Sequence, residues 1–285
     1  MTRSAQALRV RPLTAQDREA VLKFVERDPV RDAFIASRVL HDGALGSGGW
    51  GPLWGAFEAD RLAGLLHVGP NMVPAVDSQA AVDALASVAT GPGLARMLVG
   101  ERATVERMWA LIGHTYTRPR EIRARQYVYR LTAGQLRPVP RGVEAELATR
   151  DDEDEVLRSS AAMHLEEMGE DPLVVDPAGY RRRVRTLIDR GWTFIHRGPD
   201  GRIAFKMDIG CAGLTTGQIQ GVYAPPALRR RGIASAGMAA CCALAFNWYP
   251  VLSLYVNDFN GPAVALYERL GFTRMEYDFQ TILLS

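Results

Sequence analysis

Hydrophobic positions along the C-terminal half fall into runs broken by glycine, proline and acidic residues, and the runs predict a regular series of elements. Two helices come first, over about 151–168 and 177–190, with Asp171 and Pro172 in the loop between them. Strands follow at about 192–197, 202–209 and 218–223, the first two joined by a hairpin turn at Pro199-Asp200-Gly201. A long apolar helix is expected over 231–248, then a strand over 251–256 and a helix over 261–270. The last stretch, 276–284, alternates poorly and is largely apolar, which predicts a buried strand. This order implies an α+β fold: a central mixed sheet flanked by helices on both faces.

The N-terminal half echoes the same pattern. Thr14, Asp17, Val21 and Leu22 have the spacing of Thr149, Asp152, Val156 and Leu157. Each set follows a short strand-like segment and opens a helix, with Thr as N-cap and acidic residues in the first turn. The strand–turn–strand pattern of 54–63 parallels that of 192–204, and 103–114 parallels 263–272. Aligned at Gly113 and Gly271, Trp109 matches Tyr267 and Arg102 matches Asn260. Three matches in the same order point to a duplication, with domains at 1–133 and 142–285. The segment 132–141, carrying Gly134, Pro138 and Pro140, serves as linker.

At 285 residues the chain is long enough for two ordinary domains. A net charge of +2 is too small to argue for nucleic-acid or membrane partners. The segment 1–11 lacks the apolar core of a secretory leader, and no apolar run is long enough to span a bilayer, so a cytoplasmic protein is expected. Lys23 and Lys206 are the only lysines among many arginines. Cys211, Cys241 and Cys242 have no metal-ligand spacing and no metal is expected; the adjacent pair reads as small core residues of an apolar helix.

Chemistry concentrates in the stretch Arg229-Arg230-Arg231-Gly232-Ile233-Ala234. It lies between an apolar strand and an apolar helix. The first turn of a helix has unsatisfied N–H groups and a dipole that favours negative charge. Gly232 lets the backbone approach a ligand closely, Ala234 keeps the next turn small, and the arginines add positive charge. A phosphate or pyrophosphate is the expected ligand.

Further along, Asn260, Ala263, Leu266, Tyr267, Gly271 and Phe272 form an N-x-x-A-x-x-L-Y-x-x-x-G-F pattern. This pattern, after the R-x-x-G-x-A stretch and a second strand, resembles the GNAT acetyltransferase superfamily over about residues 143–285. With the internal echo, the resemblance implies two GNAT-like domains in tandem, of which the first has lost its chemistry. No R-x-x-G-x-A lies between Val68 and Ala95, Gly91-Pro92-Gly93 has no flanking arginine, and Trp109 cannot donate a proton to a leaving group as a tyrosine can.

The resemblance also implies acetyl-CoA as cofactor. Backbone groups of Val222, Tyr223 and Ala224 would meet the pantetheine arm where this strand splays from its neighbour at 251–256. The N–H groups of Arg229, Arg230, Arg231, Gly232, Ile233 and Ala234 would hold the pyrophosphate. Asn257 belongs to the same cofactor-binding set, and Asn260 either bonds the pantetheine arm or caps the following helix. Tyr267 would be the catalytic acid that protonates the departing thiolate.

The general base is not evident. Relatives carry a glutamate on the strand before the turn, where this chain has Gln218 and Gln220, which cannot take a proton. Base candidates are His164, Glu166, Glu167, Glu170 and Asp208, with water or a neutral amine as alternatives; His196 sits beside a turn and reads as exposed. Glu166 and Glu167 are the substrate-binding candidates, because an acidic helix end facing the acyl group would favour a cationic acceptor. The leading reading is an acetyl-CoA-dependent N-acetyltransferase acting by direct attack in a ternary complex, on a small-molecule amine or a peptide or protein amine. The alternatives are a different acyl-CoA, such as succinyl or propionyl, and a non-catalytic coenzyme A-binding sensor or scaffold.

Overall fold

A computed structural model of the chain describes residues 8–46, 51–90, 95–138, 140 and 142–284. Gly91-Pro92-Gly93, and Val139 and Arg141 of the expected linker, lie outside the described residues. The first stretch of elements is β1 (Arg9–Pro12), α1 (Arg18–Val25), α2 (Ala33–His41), β2 (Leu53–Glu58), β3 (Arg61–His67), β4 (Asn71–Val76), α3 (Gln79–Ala86), β5 (Met97–Glu101) and α4 (Arg102–Ile112). The second is β6 (Glu121–Thr132), β7 (Glu146–Leu147), α5 (Glu153–Met168), α6 (Pro172–Val175), α7 (Pro177–Asp189), β8 (Thr193–Arg197), β9 (Ile203–Ala212) and β10 (Thr216–Tyr223). It ends with α8 (Ile233–Ala245), β11 (Val251–Asn257), α9 (Gly261–Leu270) and β12 (Thr273–Leu283). The one-turn helix α6 falls in the expected loop; Pro172 occupies its first turn and the Asp171 carboxylate accepts from Leu173 N–H at 2.9 Å.

The strands pair with one topology used twice. β1, β2, β3 and β4 form successive antiparallel pairs, and β4 then pairs with β5 in parallel. β7, β8, β9 and β10 repeat the antiparallel series, and β10 pairs with β11 in parallel. The helix starts repeat as well. Thr14 N–H donates to Asp17 Oδ2 at 2.8 Å, and Thr149 N–H donates to Asp152 Oδ2 at 2.9 Å, a reciprocal capping box in both places. Mixed sheet and flanking helices agree with the fold class expected from the hydrophobic pattern.

The chain forms two compact units, and neither is contiguous. One is built from Met1–Val128, Tyr255–Gly261 and Arg274–Ser285, the other from Tyr129–Leu254 and Pro262–Thr273. The division therefore differs from the expected 1–133 and 142–285. The reason is the last strand: β12 pairs antiparallel with β5, from Phe279–Glu101 to Leu283–Met97. Its apolar end is buried there, with Ile282 and Leu284 in one cluster with Leu98, Val105 and Met108.

The second unit has a smaller core in which Val156, Leu157, Val184, Ile188 and Ile195 pack together. Charge brackets it. Glu153 at the start of α5 accepts two bonds of 2.8 Å from Arg185 and one of 2.9 Å from Arg181, both on α7. These hydrogen bonds, Arg185 first, hold the Glu153 carboxyl down at about 2. A depressed carboxyl stabilises the fold above its unfolded value and loses that contribution as pH falls toward 2. Glu153→Gln is therefore expected to lower the melting temperature at pH 7 and to match wild type near pH 2, as read by circular dichroism. No helix among the described residues is long and apolar enough to cross a membrane.

Candidate functional site

The second unit concentrates the candidate chemistry around the end of β10. The parallel register of β10 with β11 runs from Thr216–Val251 to Gln218–Ser253, yet the strand continues to Tyr223. On the other side, Gln220 faces Asp208 and Tyr223 faces Lys206 of β9. Gly221 and Val222 thus oppose the single residue Met207, which is a β-bulge. Gly221 has φ +61°, and a Cβ there would lie 2.3 Å from Asp208 Oδ2, so a larger residue does not fit. Val222 is skipped by both registers, which leaves its backbone outside the ladders.

After Ala224 comes a single 3-10 turn, Pro226–Leu228, and then two residues in left-handed conformation, Arg230 at φ +58° and Gly232 at φ +80°. The two left-handed residues turn the chain sharply into the start of α8, where the first-turn N–H groups face a ligand. No side chain caps α8, so the N–H groups of Ile233 and Ala234 keep their donor capacity for a ligand. Arg229, Arg230, Arg231 and Gly232 are all exposed. Helix dipole, uncapped donors and exposed cations meet at one point. The residues present fit a pyrophosphate on these grounds.

Arg229 has a second job. Its Nε donates to Ala224 O at 2.9 Å, and its terminal nitrogen donates to both Glu166 oxygens at 2.9 and 2.8 Å. Its guanidinium lies 5.5 Å from the Tyr223 ring centroid. The side chain braces the turn against α5, and the Ala224 carbonyl is taken by that brace. Glu166, expected at the acceptor, is thus tied to the turn. Glu167 is exposed, and its charge is felt at Tyr267.

Tyr267 sits on α9 and is buried. Its ring packs 5.6 Å from Phe272 and 6.4 Å from Tyr129. Burial, and after it the charge of Glu167, pushes the phenol far above its ordinary value, so it holds its proton across the neutral range. Among the described residues the hydroxyl has no hydrogen-bond partner, which leaves it able to donate. Cys242, also buried, is pushed well above the usual thiol range by desolvation, as is Cys241; both remain thiols and core residues.

The base candidates are dispersed. Gln220 Nε2 donates to Gln218 Oε1 at 3.4 Å, an amide pair that cannot accept a proton. Asp208 is buried and committed: Thr193 Oγ1 donates to one oxygen at 2.9 Å and Lys206 Nζ to the other at 2.7 Å. His164 stacks edge-on to Tyr180 at 5.6 Å, and Glu170 is exposed. His196 is half-buried on β8, its Nδ1 2.7 Å from Glu144 O, so it is bonded and not the open surface residue expected. Asn257 and Asn260 belong to the first unit, where Gln126 Nε2 donates to Asn257 Oδ1 at 2.9 Å and Asn260 is exposed. Among the described residues no cluster of His, Cys, Asp or Glu could hold a metal ion.

The first unit has the same strands without the turn. β4 ends at Val76 and α3 begins at Gln79, leaving only Asp77 and Ser78 between them. Ser78 Oγ accepts from Ala81 N–H at 3.3 Å, so the helix start is capped. Arg31 donates to Val76 O at 3.3 Å, filling the strand end, and Asp77 is paired with Arg27 and Arg31. The helix start is capped and its neighbouring arginines are committed here, where the second unit has no side-chain cap. Sequence reasoning did not find the Arg229–Glu166 brace or the Lys206–Asp208 pair.

Residues 190–272 match the acetyltransferase (GNAT) family, and residues 51–152 match a domain of unknown function (DUF4081). A mycothiol acetyltransferase of Thermomonospora curvata is 34% identical over 106 residues, which is 36% of this chain. The matched stretch spans only 30% of that relative. Among solved structures, a tandem GNAT protein from the clavulanic acid biosynthesis pathway aligns over 96% of this chain and 98% of its own, with TM-score 0.58 and 15% identity. A GNAT-family acetyltransferase from Colwellia psychrerythraea aligns over 97% and 100%, with TM-score 0.57 and 13% identity. These likenesses establish a shared fold along nearly the whole chain.

Proposed function

The chain carries a GNAT acetyltransferase domain, and on that premise we propose that it transfers the acetyl group of acetyl-CoA to a primary amine by direct attack within a ternary complex. The observation that carries this reading is the uncapped, left-handed turn ahead of α8, beside a strand end that has left its ladder. The N–H groups of 230–234 would hold the pyrophosphate, that of Arg229 being spent on Pro226 O at 3.2 Å, and the Val222 C=O and the Ala224 N–H would hold the pantetheine arm. The thioester supplies the activated acyl group. As the amine nitrogen bonds to the acyl carbon and the carbon–sulfur bond breaks, Tyr267 gives its proton to the sulfur. The acceptor attacks as its neutral amine, and the proton its nitrogen sheds passes through water back to the Tyr267 phenolate, since Gln218 and Gln220 cannot take it. Exposed carboxylates at Glu167 and Glu170 attract a cationic acceptor, either a small molecule or a peptide or protein amine.

Two measurements test this. Calorimetry with acetyl-CoA is expected to give one site per chain, because the first unit presents a capped helix and Asp77 in place of the turn. A stoichiometry of two would overturn that division of labour. Release of free coenzyme A thiol with a panel of amines is expected as well. Tight binding without turnover of any amine would favour the non-catalytic sensor, and faster turnover of succinyl- or propionyl-CoA would replace the acetyl group.

A further inference from the structure

Lys206 is the second lysine of a chain that otherwise uses arginine, and it is fully buried in the middle of β9. A buried ammonium is costly unless it is paired with a counter-charge and hydrogen-bonded. Here Nζ donates to Asp208 Oδ2 at 2.7 Å and to Gly221 O at 3.0 Å. Asp208 is held in turn by the Thr193 hydroxyl at 2.9 Å. Lys206 and Asp208, two residues apart, share one face of β9. The alternate residue Phe205 lies against Gly237 of α8 on the opposite face. An ion pair is thus built beneath the bulge of β10, and its outer proton is spent on one backbone carbonyl.

That carbonyl belongs to the peptide joining Gly221 and Val222. No peptide among the described residues is cis, so the Val222 N–H points opposite to the Gly221 C=O. Drawing the carbonyl toward Lys206 therefore aims the Val222 N–H away from the ion pair, outside both strand registers. A charged donor on the carbonyl also polarises the peptide and strengthens its N–H as a donor. We propose that Lys206, held by Asp208, is a positioning residue that orients and polarises the Val222 N–H as the hydrogen-bond donor to the thioester carbonyl of the bound acyl donor. This rests on the acyl-transfer reading above. Charge that develops on the thioester oxygen during attack would then meet a fixed donor, without reorganisation of the site.

The test uses the full chain with acetyl-CoA labelled with carbon-13 at the thioester carbonyl. Difference infrared spectroscopy of the wild-type complex is expected to show the carbonyl band shifted to lower wavenumber than in water. Lys206→Met removes the ammonium but leaves Asp208 buried without its partner. Lys206→Met/Asp208→Asn keeps the site neutral and retains the Thr193 contact. In the double variant the band is expected to return toward its position in water, and turnover to fall on the order of tenfold to a hundredfold, less than the roughly hundredfold to thousandfold cost of deleting an oxyanion donor outright, because the Val222 N–H itself remains. Affinity for coenzyme A, which lacks the thioester carbonyl, is expected to stay near wild type. A parallel loss of coenzyme A affinity with no movement of the band would mean that the pair only builds the strand, and would overturn the proposal. A wild-type protein that turns over acetyl-CoA with an unshifted band overturns the role of Lys206 and leaves acyl transfer standing. A protein that binds no acetyl-CoA overturns both.

Discussion

Tyr267→Phe is expected to lower turnover of acetyl-CoA by roughly a hundredfold, the usual scale for a general acid, while leaving its affinity near wild type. The substitution removes a single oxygen. Phe keeps the ring contacts with Tyr129 and Phe272, so packing on α9 is preserved. In the proposed mechanism the hydroxyl would act on sulfur only as the carbon–sulfur bond breaks, and an interaction made only in the transition state appears in kcat and not in binding. Burial raises the phenol above its ordinary value, so the acid form is the populated one at neutral pH. The sign follows: an alkaline loss of rate from Tyr267 must lie above the ordinary phenol range, and a fall-off near neutrality has another source. Stopped-flow single turnover isolates the chemical step. Equal single-turnover rates for Phe and wild type would remove Tyr267 from the mechanism. The deficit should also shrink with an acyl donor whose thiol leaves more readily.

Tyr267 and the arginine–glycine turn were both legible in the chain because each has a local signature. The turn ends on a glycine at positive φ with an apolar helix immediately after, and both appear within a few residues. Lys206 had a weaker signal: a lysine inside an apolar strand, with Asp208 on the same face. What it binds was hidden, because the bulge at Gly221 depends on how β10 pairs with β9. The brace between Arg229 and Glu166 joins residues far apart in sequence. Acidic residues at the end of α5 look alike by composition, and only the fold distinguishes Glu166, tied to the turn, from Glu167, whose charge is felt at Tyr267. The pairing of β12 with β5 was equally invisible. An apolar strand announces that it will be buried, but its period does not name its neighbour.

Gly232 gives the sharpest test of the anion site. The residue is the N-cap of α8 at φ +80°, a region that most side chains enter at a cost of about 1–2 kcal/mol. Asn and Asp tolerate it best, and a Cβ there has no atom within 4 Å, so both fit without a clash. They share a shape and differ by one charge. Gly232→Asn is expected to bind acetyl-CoA somewhat more weakly than wild type, whereas Gly232→Asp sets a carboxylate against the pyrophosphate. Two like charges 4 Å apart repel by about 1 kcal/mol in water and about 4 kcal/mol near a protein surface. The Asp variant is therefore expected to bind roughly fivefold to several hundredfold more weakly than the Asn variant, since 1.4 kcal/mol is a factor of ten. The gap should narrow as salt rises, because the site is exposed and screening is effective there. Calorimetry on both folded variants at low and high salt reads this directly. Equal affinities for Asp and Asn at low salt would show that the pyrophosphate does not rest on the start of α8, and would take the cofactor assignment of the whole turn with it.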